Sequence, residues 1–522
     1  MLRLLTNIPL PVHGFLLVLV VILRLPVFHA SYFLTEESQY ILLAEQIAGD
    51  KHLYLDAWFA GPPVMVWVYS LFYFLFGANA LFAVRIFTCL YIYFTAVVFN
   101  GMVAENKPFR QYAAGLPAIL FVLMVSAPWY AQQLSSSLFI LLPVTLAFYA
   151  FNQVGEDRRN NYGLMFVSGA WMMFCILVTY KAAFILGGML VAYIFLKKPQ
   201  ADEFLSLFGG MFAILGGVLL ILFFNQSLAA FWDVGVLYYF DRVGKMDQTI
   251  YQYQSGEAFL SWLFTWGFLL MIASIGFFHY RVRFYSYITK IRSLELTMAV
   301  WLVGVLLVLV FKFRRLDLSD FILLVPPLTF YASKITDFRW GYKFRLIILT
   351  LSLLIPVFQY LNYFGLVWEK TPEIFHPGKD NWLMHGGTES ILKGTDPLLV
   401  YFKDKKITNG VWLMEYRPEI LMADHLSYTG KYTDFRIAYY KFAVFEQRPL
   451  KQLMSSDEPE RNIFQNFNSH LPEFIVDPKD YFPNMQARFP GIFDSYEKET
   501  LGKYTIYKLQ PGKDQGLTGS LL

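Results

Sequence analysis

Residues 206–225 read SLFGGMFAILGGVLLILFFN and contain no charged side chain. A helix of about 20 apolar residues is long enough to cross the ~30 Å hydrocarbon layer of a membrane. Similar blocks recur through the first 364 residues, and the 522-residue chain is 56% hydrophobic but only 16% charged. Soluble domains carry roughly 25% charged residues. The sequence therefore predicts a polytopic α-helical membrane protein and excludes a purely soluble enzyme, a disordered chain and a collagen-like fibre.

About eleven segments are predicted to span the membrane. The first ends near Ala30, and the others lie near 81–102, 112–128, 133–152, 162–180, 182–197, 206–225, 258–279, 296–312, 319–334 and 345–364. A further apolar stretch, 62–79, is predicted to lie along the outer surface, because the inward loops then hold fifteen Lys and Arg residues and the outward segments eight. Basic loops stay in the cytoplasm. We therefore expect a cytoplasmic N-terminus and an external C-terminus.

The chain divides by composition into a membrane part, 1–364, and a C-terminal part. The membrane part has two large external loops, 31–80 and 226–257, and the first should contain helices at the membrane surface. After residue 365 the long apolar runs stop, and short strand-like pieces appear, namely GVWLMEY, PEFIVDP and KYTIYKL. This pattern predicts a small external α/β domain over 365–510, followed by a loose tail, 511–522.

Several function classes are excluded by what the sequence lacks. The formal charge of +4 is spread over the loops, so no nucleic-acid partner is expected. Cys89 and Cys175 both lie in apolar blocks, which excludes a disulfide framework and a zinc site built on thiolates. His376, His385 and His425 lack the spacing of metal ligands, so no metal site is predicted. No Gly-rich loop follows a strand, so no nucleotide cofactor is expected.

Charged residues at the outer membrane boundary are the candidates for function. Lys181 lies in the tight turn VTYKAAF between two predicted spans, and a basic group there could hold a phosphate at the membrane surface. A lysine that snorkels to lipid headgroups is an equal alternative for this one residue. Glu36 and Glu37 begin the helix-like stretch TEESQYILLAEQIAG, directly after the first span. A carboxylate at the bilayer edge could act as a general base toward a hydroxyl.

The first external loop resembles that of the GT-C membrane glycosyltransferases, and most closely the lipid A aminoarabinose transferases and protein O-mannosyltransferases. The resemblance rests on TEESQYILLAEQIAG (35–49) and DAWFAGPPVMVWVYSLFYFLFGANALFAVR (56–85). The matching positions are Glu36, Glu37, Tyr40, Gly61, Pro62, Pro63, Trp67, Phe76, Gly77 and Arg85. VTYKAAF, YYFDRVGKM and FRRLDLSDFILLVPPLTFYAS are similar to later segments of the family, in the same order over about residues 31–334.

The resemblance implies a GT-C-like enzyme of the bacterial inner membrane, with its C-terminal domain in the periplasm. Such enzymes pass a sugar from a polyprenyl phosphate in the outer leaflet to an acceptor hydroxyl and invert the anomeric centre. By resemblance and position, Glu36, Glu37 and Asp56 are the candidate catalytic acids. Lys181, Arg242, Arg315 and Arg85 are the candidate ligands of the donor phosphate. Tyr40, Trp58 and Trp67 are the candidates for contact with sugar or isoprenoid.

Three departures from the family pattern support a second hypothesis. Glu36 stands where the family usually has Asp, Gly61 replaces a lysine, and QQLSSSLF (132–139) lacks the acid often found there. A non-enzymatic scaffold, which docks a membrane-complex partner through its external domain, is compatible with these changes. A transporter is less favoured, because transporter sites lie near the bilayer midplane. The sequence leaves open the sugar, the acceptor (lipid, glycan or protein) and whether a divalent cation assists.

Overall fold

A computed structural model gives the fold of most of the membrane part and of a few C-terminal segments. The described residues are 10–28, 35–57, 59–104, 115–128, 131–154, 158–197, 200–243, 266–267, 269–277, 294–311, 318–334, 343, 347–348, 350–351, 353–358, 360–361, 397–402, 405, 411–413, 472–477, 495–502 and 504–510. Within them, helices account for the membrane part and a small sheet for the C-terminal part.

The helices of the membrane part follow the apolar blocks of the sequence. They are α1 (Leu10–Arg24), α2 (Thr35–Ala48), α3 (Val64–Phe76), α4 (Ala80–Ala104), α5 (Leu116–Ser126), α6 (Ser136–Phe139), α7 (Leu141–Asn152), α8 (Arg158–Val178), α9 (Ala182–Lys197), α10 (Ala201–Phe224), α11 (Leu228–Ala230), α12 (Leu294–Phe311) and α13 (Val325–Ser333). Tighter 3₁₀ turns cover Leu25–Phe28, Gly77–Asn79 and Leu318–Leu324, and a wider π-helix covers Phe231–Val243.

Three helical stretches among the described residues are long and apolar enough to cross a membrane. They are Val64–Ala104, Asn161–Val178 and Ala201–Phe224. Shorter apolar helices, such as Pro11–Arg24 and Leu294–Leu309, coincide with other predicted spans. The membrane class is therefore supported, whereas the number of eleven spans and the sidedness of the loops stay predictions.

The stretch 62–79, predicted to lie on the outer surface, forms a separate short helix. Gly77, with φ of 54°, ends α3 after 13 residues, and a 3₁₀ turn separates it from α4. A helix of that length is about 20 Å long. The hydrocarbon layer is ~30 Å thick. By its length, α3 alone does not reach across, and α3 packs beside α2.

Two glycines bring α8 and α10 into close contact. A Cβ on Gly169 would lie 1.9 Å from the carbonyl oxygen of Leu207, and a Cβ on Gly210 would lie 2.0 Å from that of Phe166. In membranes, small residues allow helix backbones to approach closely, and packing then holds the helices together. Gly169 and Gly210 therefore have a structural role in joining these two helices.

Gly210→Ala is accordingly expected to destabilise the protein by about 1–3 kcal/mol, as overpacked cores do. The matched control is Gly217→Ala on the same helix, because a Cβ there meets no atom within 4 Å. The measurement is the thermal unfolding midpoint of each purified variant in detergent. Equal midpoints for the two variants would contradict the close approach of α8 and α10.

The C-terminal segments form a four-stranded sheet. Its strands are β1 (Val411–Leu413), β2 (Phe474–Asp477), β3 (Tyr496–Leu501) and β4 (Tyr504–Leu509), in the order β1-β2-β4-β3. β1 and β2 are parallel, and the other pairs are antiparallel. The strand-like pieces that the sequence indicated coincide with β1, β2 and β4. Whether this region, predicted as 365–510, lies outside the membrane stays a prediction.

The sheet and the short helix α14 (Pro397–Phe402) pack against α2. One cluster of buried apolar side chains joins Leu42 of α2 to both elements. Its other members are Leu398, Phe402, Val411, Phe474, Val476, Tyr504 and Ile506. The helix that begins with Glu36 and Glu37 therefore also forms the seat of the C-terminal sheet.

Candidate active site

The two acids of α2 lie in its first turn but have different surroundings. Carboxylates are favourable at a helix N-terminus, because they face unbonded N–H groups and the positive end of the helix dipole. Glu36 is half-buried, whereas Glu37 is 1% exposed. Successive helix positions point about 100° apart, so each carboxylate meets a different part of the protein.

Glu36 contacts the start of α6. Its Oε1 accepts hydrogen bonds from the backbone N–H of Ser136 at 3.1 Å, the Ser136 hydroxyl at 2.9 Å and the Tyr40 hydroxyl at 3.0 Å. The Ser136 N–H is one of the first N–H groups of α6, which have no partner inside the helix. Among the described residues, no group donates to the other oxygen, Oε2. Oε1 therefore has a structural task at the start of α6.

Glu37 forms a buried ion pair behind this carboxylate. Its Oε2 lies 2.9 Å from Nη2 of Arg85, which is itself 4% exposed, and Arg85 Nη1 donates to the Val27 carbonyl. The backbone N–H of Glu37 donates to the side chain of Gln133 at 3.2 Å. Glu37 and Arg85, predicted as a catalytic acid and a phosphate ligand, are thus engaged with each other inside the protein.

The polar segment 131–135, between α5 and α6, is held by several buried side chains. Arg24, 1% exposed, donates to the carbonyl oxygens of Ala131, at 3.2 Å, and of Gln132. Tyr69 of α3 donates to the carbonyl of Leu134 at 3.1 Å. These hydrogen bonds hold the backbone before α6 in place. They therefore also position the Ser136 hydroxyl and N–H, which donate to Glu36.

Lys181 pairs with an acid that contacts the second residue of α6. Its Nζ forms an ion pair with Asp320, whose side chain is fully buried, while the Lys181 side chain is 14% exposed. The Ser137 hydroxyl also donates to Asp320 Oδ1, at 3.3 Å. Since Ser136 bonds to Glu36, two adjacent serines connect the acid to the lysine pair. The structure thus links Glu36 and the Lys181–Asp320 pair through these two serines, while the catalytic roles of Glu36 and Lys181 stay predictions.

Two tyrosines contact the π-helix Phe231–Val243. Tyr180, next to Lys181, donates to the carbonyl of Gly235 at 2.9 Å, in the π-helix. Tyr54, between α2 and α3, donates to the carbonyl of Gly61 at 2.7 Å, and its ring lies 5.2 Å from that of Phe231. Burial raises the pKa of the Tyr54 hydroxyl.

Other predicted residues are less directly placed. Asp56 is exposed, and its Oδ2 accepts from the backbone N–H of His52 at 3.0 Å, which closes a turn. Trp67 is half-buried on α3. Tyr40 packs against Tyr69, with ring centroids 5.2 Å apart. Trp58, Arg315 and the side chain of Arg242 lie outside the described residues. The predicted roles of all these residues stay predictions.

Sequence reasoning missed Asp320 as well as the two serines that bond to the acids. Asp320 is the only charged residue of the apolar run 318–333, which was a detectable signal. The serines were noticed only as a departure from the family pattern. Among the described residues, no group of three or more His, Cys, Asp or Glu side chains could hold a metal ion.

Comparison with known proteins supports the fold class. No protein-family model and no curated protein sequence matches the chain. A crystal structure of the Archaeoglobus fulgidus oligosaccharyltransferase in the apo form is similar, with a TM-score of 0.51 and 14% identity, over 98% of this chain and 75% of that one. At this identity the likeness shows the fold alone. It supports a fold similar to that of this structure, while the resemblance to the GT-C enzymes, and among them to the aminoarabinose and O-mannosyl transferases, stays a prediction.

Proposed function

We propose that this chain is a membrane glycosyltransferase that moves a sugar from a polyprenyl-phosphate donor to an acceptor hydroxyl, with inversion. The proposal is carried by one observation: Glu36 and the Lys181–Asp320 pair flank the same two serines at the start of α6. An acid and a cation from distant parts of the sequence are what such a transfer needs close together. The likeness to an oligosaccharyltransferase fold supports the reaction class.

Glu36 is the proposed general base. Its Oε2 takes the proton of the acceptor hydroxyl, while the hydroxyl oxygen forms a bond to the anomeric carbon of the donor sugar. The bond from that carbon to the phosphate oxygen breaks, and its electron pair stays on the phosphate. Polyprenyl phosphate leaves, and attack from the face opposite to the leaving group inverts the anomeric centre.

Lys181 is the proposed ligand of the donor phosphate. Negative charge grows on the phosphate as the sugar departs, and a fixed cation stabilises that charge most in a site shielded from water. The ammonium group has three N–H donors, so it can contact a phosphate while it pairs with Asp320. The partial exposure of the lysine side chain is consistent with this role.

The direct test is transfer by the purified full-length chain in lipid nanodiscs. Radiolabelled sugars on polyprenyl phosphate are offered with a lipid, a glycan and a peptide acceptor, and the anomeric configuration of the product is determined. We expect transfer to at least one acceptor with inverted configuration. A retained configuration would contradict the single displacement, and no transfer to any of the three acceptors would contradict the proposed activity.

Lys181→Ala is expected to lower transfer by about 10²-fold, because the transition-state charge loses a fixed partner. Lys51→Ala, an exposed lysine of the first external loop, is the matched control and should transfer at the wild-type rate. Size-exclusion chromatography verifies that each variant is folded. A correctly folded Lys181→Ala protein with wild-type transfer would contradict the proposed role.

One observation favours the scaffold alternative: in the resting structure, the lysine and Glu37 are both already ion-paired within the chain. A scaffold subunit should co-purify stably with another membrane protein. The scaffold hypothesis would replace the transferase proposal under two conditions: the native complex contains such a partner, and mutation of Glu36 does not affect sugar transfer by that complex.

A further inference from the structure

Asp320 is the least expected member of the site. Its carboxylate is fully buried and accepts from both Lys181 and the Ser137 hydroxyl, at 3.3 Å from the latter. A lone lysine would bind a phosphate more strongly than a lysine whose charge is already balanced. Asp320 therefore weakens the attraction of Lys181 for a phosphate. Stability alone does not explain its presence, since buried ion pairs stabilise proteins little on balance.

The charges of the donor lipid and the product lipid of the proposed reaction offer an explanation for Asp320. The donor, a sugar joined through phosphate to a polyprenol, is a phosphodiester with one negative charge. The product, polyprenyl phosphate, is a phosphomonoester with a charge near −1.5 to −2 at pH 7, like other phosphomonoesters. An unbalanced cation would hold the product more tightly than the donor, and product release would limit turnover.

Resting on the proposed function, we propose that Asp320 is a specificity-determining residue: it makes the Lys181 site discriminate against the phosphomonoester product in favour of the phosphodiester donor. Its negative charge repels the doubly charged ligand about twice as strongly as the singly charged one, because the Coulomb energy scales with the charge. Cations elsewhere in the protein attract both ligands, so the proposal concerns only the ratio of the two affinities.

The test measures binding of farnesyl phosphate, a monoester, and of its methyl diester to the full-length protein in nanodiscs. Asp320→Asn removes the charge but keeps a side-chain oxygen for Lys181 and Ser137. We expect this variant to bind both probes more tightly and to gain at least about tenfold more for the monoester than for the diester. Asp202→Asn, which neutralises an exposed acid at the start of α10, should leave the ratio unchanged.

Two further variants keep the test decisive. Asp320→Glu retains the charge and should keep the wild-type ratio. Asp320→Ser is a second neutral variant for the case that the asparagine variant does not fold, and it should shift the ratio in the same direction. If Asp320 merely positioned Lys181, the neutral variants would lose affinity for both probes, and more for the monoester, which would overturn the proposal.

The outcomes separate this proposal from the proposed function. A wild-type protein that binds both probes, with a ratio that no neutral variant changes, overturns the role of Asp320 and leaves the transferase proposal standing. A wild-type protein that binds neither probe contradicts the polyprenyl-phosphate donor itself, and the role of Asp320 fails with it. A shift toward the monoester in both neutral variants supports the proposal.

Discussion

Glu36→Gln is expected to lower sugar transfer by about 10²–10⁴-fold, the usual contribution of a general base. Glutamine keeps an oxygen that can accept from Ser136 and Tyr40, so the cap on α6 survives. What it loses is the ability to take a proton from the acceptor hydroxyl. The measurement is the initial rate of transfer in nanodiscs, with kcat and KM determined separately, and the loss should lie mainly in kcat.

The control for this prediction is Glu45→Gln, which removes an exposed carboxylate from the same helix. It should transfer at the wild-type rate. Unfolding midpoints of both variants should stay close to that of the wild type, because neither change creates a cavity. Wild-type transfer by a folded Glu36→Gln protein would exclude Glu36 as the base.

Arg85→Met is expected to destabilise the protein by about 3–5 kcal/mol, the range found when one partner of a buried ion pair is removed. Glu37 would then be left in the interior, 1% exposed, with no cation beside its Oε2. Its other oxygen, Oε1, already has no hydrogen-bond partner among the described residues. The measurement is thermal unfolding of the detergent-purified variant against wild type.

The double variant Arg85→Met/Glu37→Leu separates lost charge pairing from lost packing. Replacing a buried ion pair by apolar residues of similar volume is often neutral. The double variant should therefore recover most of the stability that the single variant loses. Equal instability of the single and double variants would mean that the ion pair is not the cause.

The helical class could be predicted from the sequence, because it follows from local signals. Apolar blocks of membrane length reveal spans by themselves. Glu36 and Lys181 could be chosen as candidates because both lie in segments predicted to face the same side of the membrane. The groups that connect them could not be predicted, because Asp320 bonds to partners far away in the sequence. Lys181 is 139 positions from Asp320, and Ser137 is 183 positions from it.

The sheet shows the same limit in another form. β1, β2 and β4 contain buried apolar residues and could be recognised from β-branched and aromatic composition. β3 was missed because its sequence, YEKETL, is charged, and only its first residue is buried. An edge strand with charged side chains is common, because charges discourage pairing with other proteins. Such a strand looks like a loop until its partner, β4, is known.

The packing of the C-terminal sheet against Leu42 couples the position of the sheet mechanically to that of α2. A rigid helix transmits a tilt from one end to the other, and Leu42 lies about 9 Å along the axis from Glu36. A force on the C-terminal sheet is therefore transmitted to α2, the helix that holds Glu36 against α6. A partner that displaced the sheet would therefore also displace the Glu36 carboxylate.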